Sequence, residues 1–366
     1  MQILKEKKVA RIIALFFGSV LTLTVGGPLK ASDNNVWKLY AEIESINLSE
    51  PVNIKANFNQ WETSDYTTGN KIYTKQSAFS GISWKQTTLG FNSRYHYYIN
   101  FSSDTALWYY LEQNDEERLT ALKEPLNIDL QANQMRANGV FVAHKIQWQN
   151  LQLGARLTYL NLNELTYGKA FGQYDAREDL DTQTRLTIDY AYTEESILDR
   201  LVEEPSGKGW ILDLELAWEY DSHQLHITID EAFNRLAWKT APASLIEGNL
   251  ADLNIRRDAA LQFQEFYVNI QQELPMHSKA SYQYQVNHWL SAGVNWEKID
   301  QQSWERLFAT TQIMDDSFAT LTWGAADDTL GISLDFPYFY FAIETETFEF
   351  EESHVLNLSL GVQARF

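Results

Sequence analysis

The chain has 366 residues, a formal net charge of −20 and no cysteine. Without cysteine there are no disulfides, thiolate metal sites, cysteine nucleophiles or cysteine-linked lipid anchors, and so acidic a chain does not bind nucleic-acid phosphates. Mean hydropathy is −0.36, yet the chain carries 12 Trp, 19 Tyr and 19 Phe, a load that a soluble protein rarely needs.

The N-terminus has the pattern of an export signal. Lys5, Lys7, Lys8 and Arg11 precede an apolar run from Ile12 to Val25, which Gly26-Gly27-Pro28 breaks. A spanning helix needs about 20 apolar residues, so residues 1–31 are expected to be a cleaved signal peptide, with cleavage after Ala31. Residues 32–366 are then expected to form one domain. No later segment has the length and apolarity of a membrane helix, which excludes a helical bundle in lipid.

Strict alternation begins at Leu89–Phe101. Leu89, Phe91, Tyr95, Tyr97, Ile99 and Phe101 share one face of the predicted strand, with Asn92, Arg94, His96 and Tyr98 on the other. A tilted membrane strand needs about 9–11 residues, which this run supplies. Residues 151–159 alternate in the same way, with Arg156 on the polar face. So do residues 185–192, with Arg185 and Asp189 on the polar face. In 210–220, Trp210, Leu212, Leu214, Leu216 and Trp218 alternate with Asp213 and Glu215. Acids in mid-strand do not face lipid cheaply, so the polar faces are expected to line a wet lumen. His226 and Asp230 fall in the same phase of the next run. The candidate lumen residues are therefore Arg94, His96, Arg156, Arg185, Asp189, Asp213, Glu215, His226 and Asp230. They are expected mainly to pair with one another.

Turn signals lie at Asn138-Gly139, at 221–224 and at 326–329, and Pro337 follows the run 330–336. Helical spacing is visible at 115–124, through Leu119 and Leu122, and at 193–204, through Ile197, Leu198, Leu201 and Val202. The segment 241–258 is mixed, and these pieces are candidates for short helices or plugs. Counting strands back from the C-terminus puts 193–208 and 239–258 on the side of the chain termini. The acids Asp175, Glu178, Asp179 and Asp181 lack the glycine turn of a dedicated Ca²⁺ loop and read as solvated charge. His144 falls on an apolar phase; His223, His277 and His354 lie near expected turns. No hydrolase, zinc, phosphate-loop or EF-hand motif is present, so neither a metal nor a cofactor is expected.

The last strand is the most informative. Leu356, Leu358, Leu360, Val362, Ala364 and Phe366 are apolar and two apart, and polar residues or glycine stand between them. A side-chain period of two makes one face apolar throughout. This ending resembles the C-terminal insertion signal of Gram-negative outer-membrane β-barrels, carried here by Leu358, Leu360, Val362 and Phe366. The resemblance implies an all-β fold: a transmembrane, antiparallel, up-and-down barrel of about 16 strands, within a range of 12 to 18, with short helices in its connections. It implies a place in the bacterial outer membrane, contact with lipid and lipopolysaccharide, and delivery by the barrel-insertion machinery.

Residues 207–239 carry a narrower resemblance. A glycine-rich entry at Gly207 and Gly209, a strand containing Asp213, a hairpin, and a second strand leading to Trp238-Lys239 are similar to a segment of FadL/TraF-type barrels. Members of that group include fatty-acid transporters and barrels of conjugation or secretion systems. The N-terminal plug of the fatty-acid transporters is not recognisable in this sequence. The favoured expectation is a channel or transporter for a small solute through a polar, charged lumen. The alternatives are a non-conducting accessory barrel of a secretion, pilus, conjugation or surface-polymer system, and an outer-membrane hydrolase.

Overall fold

The computed structural model describes residues 37–58, 61, 65–178, 184–194, 202–203, 205–249, 262–349 and 352–366. The expected signal peptide, the helical pattern at Ile197–Leu201, Asp179, Asp181 and residues 250–258 lie outside the described residues.

The first eight strands are β1 (Trp37–Ser49), β2 (Lys71–Trp84), β3 (Thr87–Phe101), β4 (Leu126–Trp148), β5 (Leu151–Tyr174), β6 (Thr184–Tyr192), β7 (Ser206–Tyr220) and β8 (His223–Asn249). The next eight are β9 (Gln262–Gln272), β10 (His277–Gln285), β11 (Leu290–Ile299), β12 (Gln302–Met314), β13 (Ser317–Gly324), β14 (Thr329–Phe336), β15 (Phe339–Thr345) and β16 (Val355–Arg365). Among the described residues there are three short helices, α1 (Ile54–Phe58), α2 (Ser103–Asn114) and α3 (Glu116–Thr120). The N-cap of α2 is Ser102, whose hydroxyl accepts from the Thr105 amide; that of α3 is Asp115, which accepts from the Arg118 amide. The 115–124 pattern therefore shortens to α3, while α2 had no recognised signal.

Every pairing is antiparallel, and β1 pairs with β16, so the sheet closes on itself. Fourteen strands form the closed barrel and two stand outside it. The register explains the two extra strands. β5 pairs with β7 over 151–162 and with β6 over 166–174. β8 pairs with β7 up to Lys239 and with β6 over 243–249. β6 is thus stacked end to end with β7 in one slot between β5 and β8. β9 is stacked on β10 along the other edge of β8 in the same way. Two staves of the wall are each made of two strands.

The first and last described residues lie together: the amides of Trp37 and Phe366 donate to each other's carbonyls at 3.0 and 3.1 Å. The connections at this end are short, as at Lys85-Gln86, Gln149-Asn150, Asp221-Ser222 and Asp315-Asp316. Lys85, Gln149, Asp221 and Asp316 all have φ between 50 and 57°, the positive values that tight hairpin turns require. Short turns mark the periplasmic side of such barrels and long connections the outer side. Ser206–Lys208 and 239–249 lie at the outer end, opposite the termini, so the expectation from counting strands is corrected. A broken stave counts as two strands yet crosses the wall once. Asn138-Gly139 is not a turn either: it lies inside β4 opposite Asn161 and Leu160. A Cβ on Gly139 would collide with the Tyr159 carbonyl, so this glycine serves close strand approach.

The two faces of the wall differ as alternation requires. Outward-pointing side chains are large, apolar and exposed, including Phe91 at 68% and Trp148 at 71%. Leaving one such side chain in water forgoes about 1.5–3 kcal/mol, and a continuous belt of them requires lipid. Near its outer boundary the belt carries Tyr159 tilted against Trp210, with ring centroids 4.6 Å apart; near the turns it carries Trp37 stacked on Trp84, at 5.8 Å. Such aromatics fit the two membrane interfaces. A closed barrel, apolar outside and charged inside, leaves no backbone unpaired in lipid. The chain is an integral outer-membrane β-barrel.

Candidate functional site in the barrel lumen

At mid-height the lumen is crossed by a network of buried charges. It is organised by a β-bulge in β8. Between Leu212 and Leu214 the β7–β8 register shifts, and Glu231 takes a φ of 56°. Strict alternation would turn Glu231 out to lipid. The bulge turns it inward beside Asp230, and Phe233 takes the outward place. The amide that the bulge removes from the ladder is not wasted: Glu231 N–H donates to Asp213 Oδ1 at 2.9 Å.

Around these three acids the cations converge. Lys75 Nζ lies 2.7 Å from Asp230 Oδ2 and 3.2 Å from Glu231 Oε2. Arg94 donates to Asp213 Oδ2 at 2.8 Å and, through its other terminal nitrogen, to Glu231 Oε1. Arg156 Nε donates to the same Asp213 oxygen at 2.9 Å, and its guanidinium lies 4.1 Å from the Phe79 ring centroid. His96 Nε2 is 3.6 Å from Glu231 Oε1. His277 links this group to a second one, with Nδ1 3.8 Å from Asp230 and Nε2 2.7 Å from Glu297. There Arg306 meets Glu297 at 2.6 Å, Glu344 at 2.7 Å and Asp327 at 3.0 Å, and Lys279 meets Glu44 at 2.8 Å. Taking such charges out of water costs several kcal/mol each, which only close pairing offsets.

Of the nine candidates from the sequence, Arg94, His96, Arg156, Asp213 and Asp230 lie in this network. Glu215 and His226 lie nearer the short turns, 3.3 Å apart, with Lys145 Nζ within 3.0 Å of both Glu215 oxygens. Arg185 and Asp189 do not line the lumen. They are on β6, outside the fourteen-strand ring, where Arg185 pairs with Glu178 at 2.8 Å. Their alternation is real, but the strand stands beyond the barrel. Lys75, Glu231, Lys279, Glu297, Arg306 and Glu344 were not recognised; His277 does follow a connection, as the first residue of β10, but its burial in the network was not recognised. Alternation on β2 and β10–β12 would have found most of these residues, but not Glu231.

On the outer side of the charges the lumen is filled by apolar side chains. Several stand two residues along a strand from a member of the network, as Ile46 does from Glu44, Tyr73 from Lys75, Tyr98 from His96 and Ile299 from Glu297. One half is Ile46, Leu48, Tyr73, Tyr98, Ile299 and Val355. The other includes Met135, Leu160, Leu162, Ile211, Leu236 and Trp238. Gly207 and Gly209 make room for the last two: a Cβ on Gly207 would stand 2.6 Å from the Trp238 ring. On the periplasmic side of the charges the lumen opens into a cavity of about 620 Å³. Its lining includes Glu42, Glu44, Arg156, Lys279, Phe308 and Tyr340, with hydroxyls from Thr310, Thr320 and Ser359.

The remaining histidines do not assemble a hydrolytic site among the described residues. His144 accepts or donates with Thr87 at 3.0 Å on the outer face, and His223 does so with Tyr282 at 2.7 Å near a periplasmic turn. In the acidic loop, the Asp175 carboxyl is held at about 2 by side-chain and backbone hydrogen bonds from Arg177. Leu358, Leu360 and Val362 lie on the outward phase of β16, with Phe366 just beyond it.

No protein-family model matches this sequence, and no curated protein matches it. Among solved structures, the chain is similar to a deltaS2S3 mutant of TodX, titled a monoaromatic hydrocarbon channel. The match has 10% identity, covers 92% of this chain and 91% of that one, and has a TM-score of 0.47. It is similar to the P. putida toluene transporter TodX, at 11% identity over 92% and 89% of the chains with a TM-score of 0.41. A Pseudomonas aeruginosa FadL homologue matches at 8% identity over 91% and 90%, with a TM-score of 0.30.

Proposed function

We propose that this barrel is an outer-membrane transporter for a small polar solute, held shut by the apolar layer in its outer lumen. The observation that carries the reading is the cavity of about 620 Å³ between the charged network and the periplasmic turns. Ligand sites commonly have volumes of roughly 300–1,000 Å³. Transport would require displacement of the Tyr73–Tyr98 layer, since the charged network below it is braced from strand to strand and the layer is held by packing. Solute uptake into liposomes containing the refolded chain tests this. Uptake above that of empty liposomes supports the reading; none, from a correctly folded barrel, removes it.

A second reading is favoured by the same apolar layer. A lumen filled by Leu160, Leu236 and Trp238 on one side and Ile46, Tyr73 and Tyr98 on the other also suits a non-conducting accessory barrel. That reading expects no uptake under any membrane potential or solute gradient.

A further inference from the structure

The charges that line and brace the cavity do not balance. Through its ion pairs the network joins seven carboxylates (Glu44, Asp213, Asp230, Glu231, Glu297, Asp327 and Glu344) to five Lys and Arg cations. Glu42 stands apart from it. Its side chain lines the cavity, is exposed, and has no ion-pair or hydrogen-bond partner among the described residues. The backbone register gives it a specific setting. Glu42 lies directly opposite Gly361, and Gly361 lies directly opposite Tyr340. These three residues form one row across β1, β16 and β15. With no side chain at Gly361, a niche is left between a free carboxylate and a phenol ring. A Cβ built there meets nothing nearer than 3.7 Å. On its other side Glu42 faces Phe79, whose ring is already occupied by Arg156.

We infer that this niche is the binding site for a solute carrying a positively charged nitrogen, with Glu42 as its counter-charge and Tyr340 as its aromatic wall. A carboxylate supplies the charge and hydrogen-bond acceptors for an ammonium, and an aromatic face attracts the same cation through its quadrupole. The inference rests on the reading that the cavity accepts a solute, and it names the class of that solute.

The test is binding, which needs no transport. Tetramethylammonium and butylammonium are titrated calorimetrically into the full-length chain in detergent micelles, with acetate and glucose as controls. Saturable binding of the ammonium probes alone is expected. Glu42→Gln weakens it about tenfold or more, the size of a lost hydrogen bond or contact to a charged group, while Glu42→Asp retains most of it. Gly361→Val fills the niche without touching a charge and is expected to give the same loss. Equal affinity for glucose and the ammonium probes, or binding unchanged in both Glu42→Gln and Gly361→Val, overturns the inference. Binding with these properties in a barrel that shows no solute uptake would remove the transport reading and leave the niche standing.

Discussion

Asp230 and Glu231 are consecutive in the chain, yet both carboxylates point into the lumen and share Lys75, at 2.7 and 3.2 Å. In a regular strand neighbours point to opposite faces. The left-handed Glu231 backbone and the Asp213 carboxylate that receives its amide make the exception. Removing Glu231 leaves Lys75 and Arg94 short of a partner. Glu231→Ala is expected to destabilise the barrel by about 3–5 kcal/mol, the cost of breaking a buried pair. Glu215→Ala breaks a half-exposed pair and is expected to cost less than about 1 kcal/mol. Urea unfolding in lipid vesicles measures both; equal losses would contradict the placement of Glu231.

Leu214 and Ala217 are three residues apart on β7 and face opposite sides of the wall. Leu214 points to lipid near the middle of the belt, exposed at 39%. Leu214→Arg is expected to cost about 2–4 kcal/mol, as for a cation at the bilayer midplane. Ala217→Arg places the same charge beside Glu215 and His226 in the lumen and is expected to cost clearly less. The same unfolding experiment reads the difference, and a larger loss at Ala217 would reverse the assignment of faces.

Gly207 sits under Trp238, with the ring 2.6 Å and Leu162 Cβ 2.7 Å from where its own Cβ would stand. Neither neighbour has room to withdraw, because both are buried in the apolar layer. Gly207→Ala is expected to lose about 1–3 kcal/mol through overpacking. Gly361→Ala, whose Cβ would meet nothing nearer than 3.7 Å, is expected to change stability by no more than about 0.5 kcal/mol. Thermal loss of the compact species on unheated gels ranks the two.

The strands and their faces could be read from the sequence because a side-chain period of two separates lipid-facing from lumen-facing residues. Leu89–Phe101 and Trp210–Tyr220 show this without ambiguity. Asp213 between Leu212 and Leu214 had one tolerable direction in a membrane, so its lumen position followed. The broken staves were not legible: Arg185 and Asp189 alternate as regularly as Asp213 and Glu215, and only pairing partners show that β6 stands above β7. Glu231 was hidden for a different reason. The bulge sets four steps along β8, from Ile229 to Phe233, against two along β7, so the alternation resumes in phase beyond it and nothing in Thr228–Phe233 marks it. The cations that complete the network come from β2, β10 and β12, strands far away in sequence that closure of the ring brings together.

The apolar layer above the charges carries the largest functional consequence, and planar-bilayer conductance tests it most directly. The wild-type chain is expected to be silent or to open rarely. A Tyr73→Ala/Tyr98→Ala variant, shown to be folded by its heat-modifiable migration, is expected to open more often than the wild type and to favour cations. A wild-type barrel that conducts as a permanently open pore, or a folded double variant as silent as the wild type, would contradict the account.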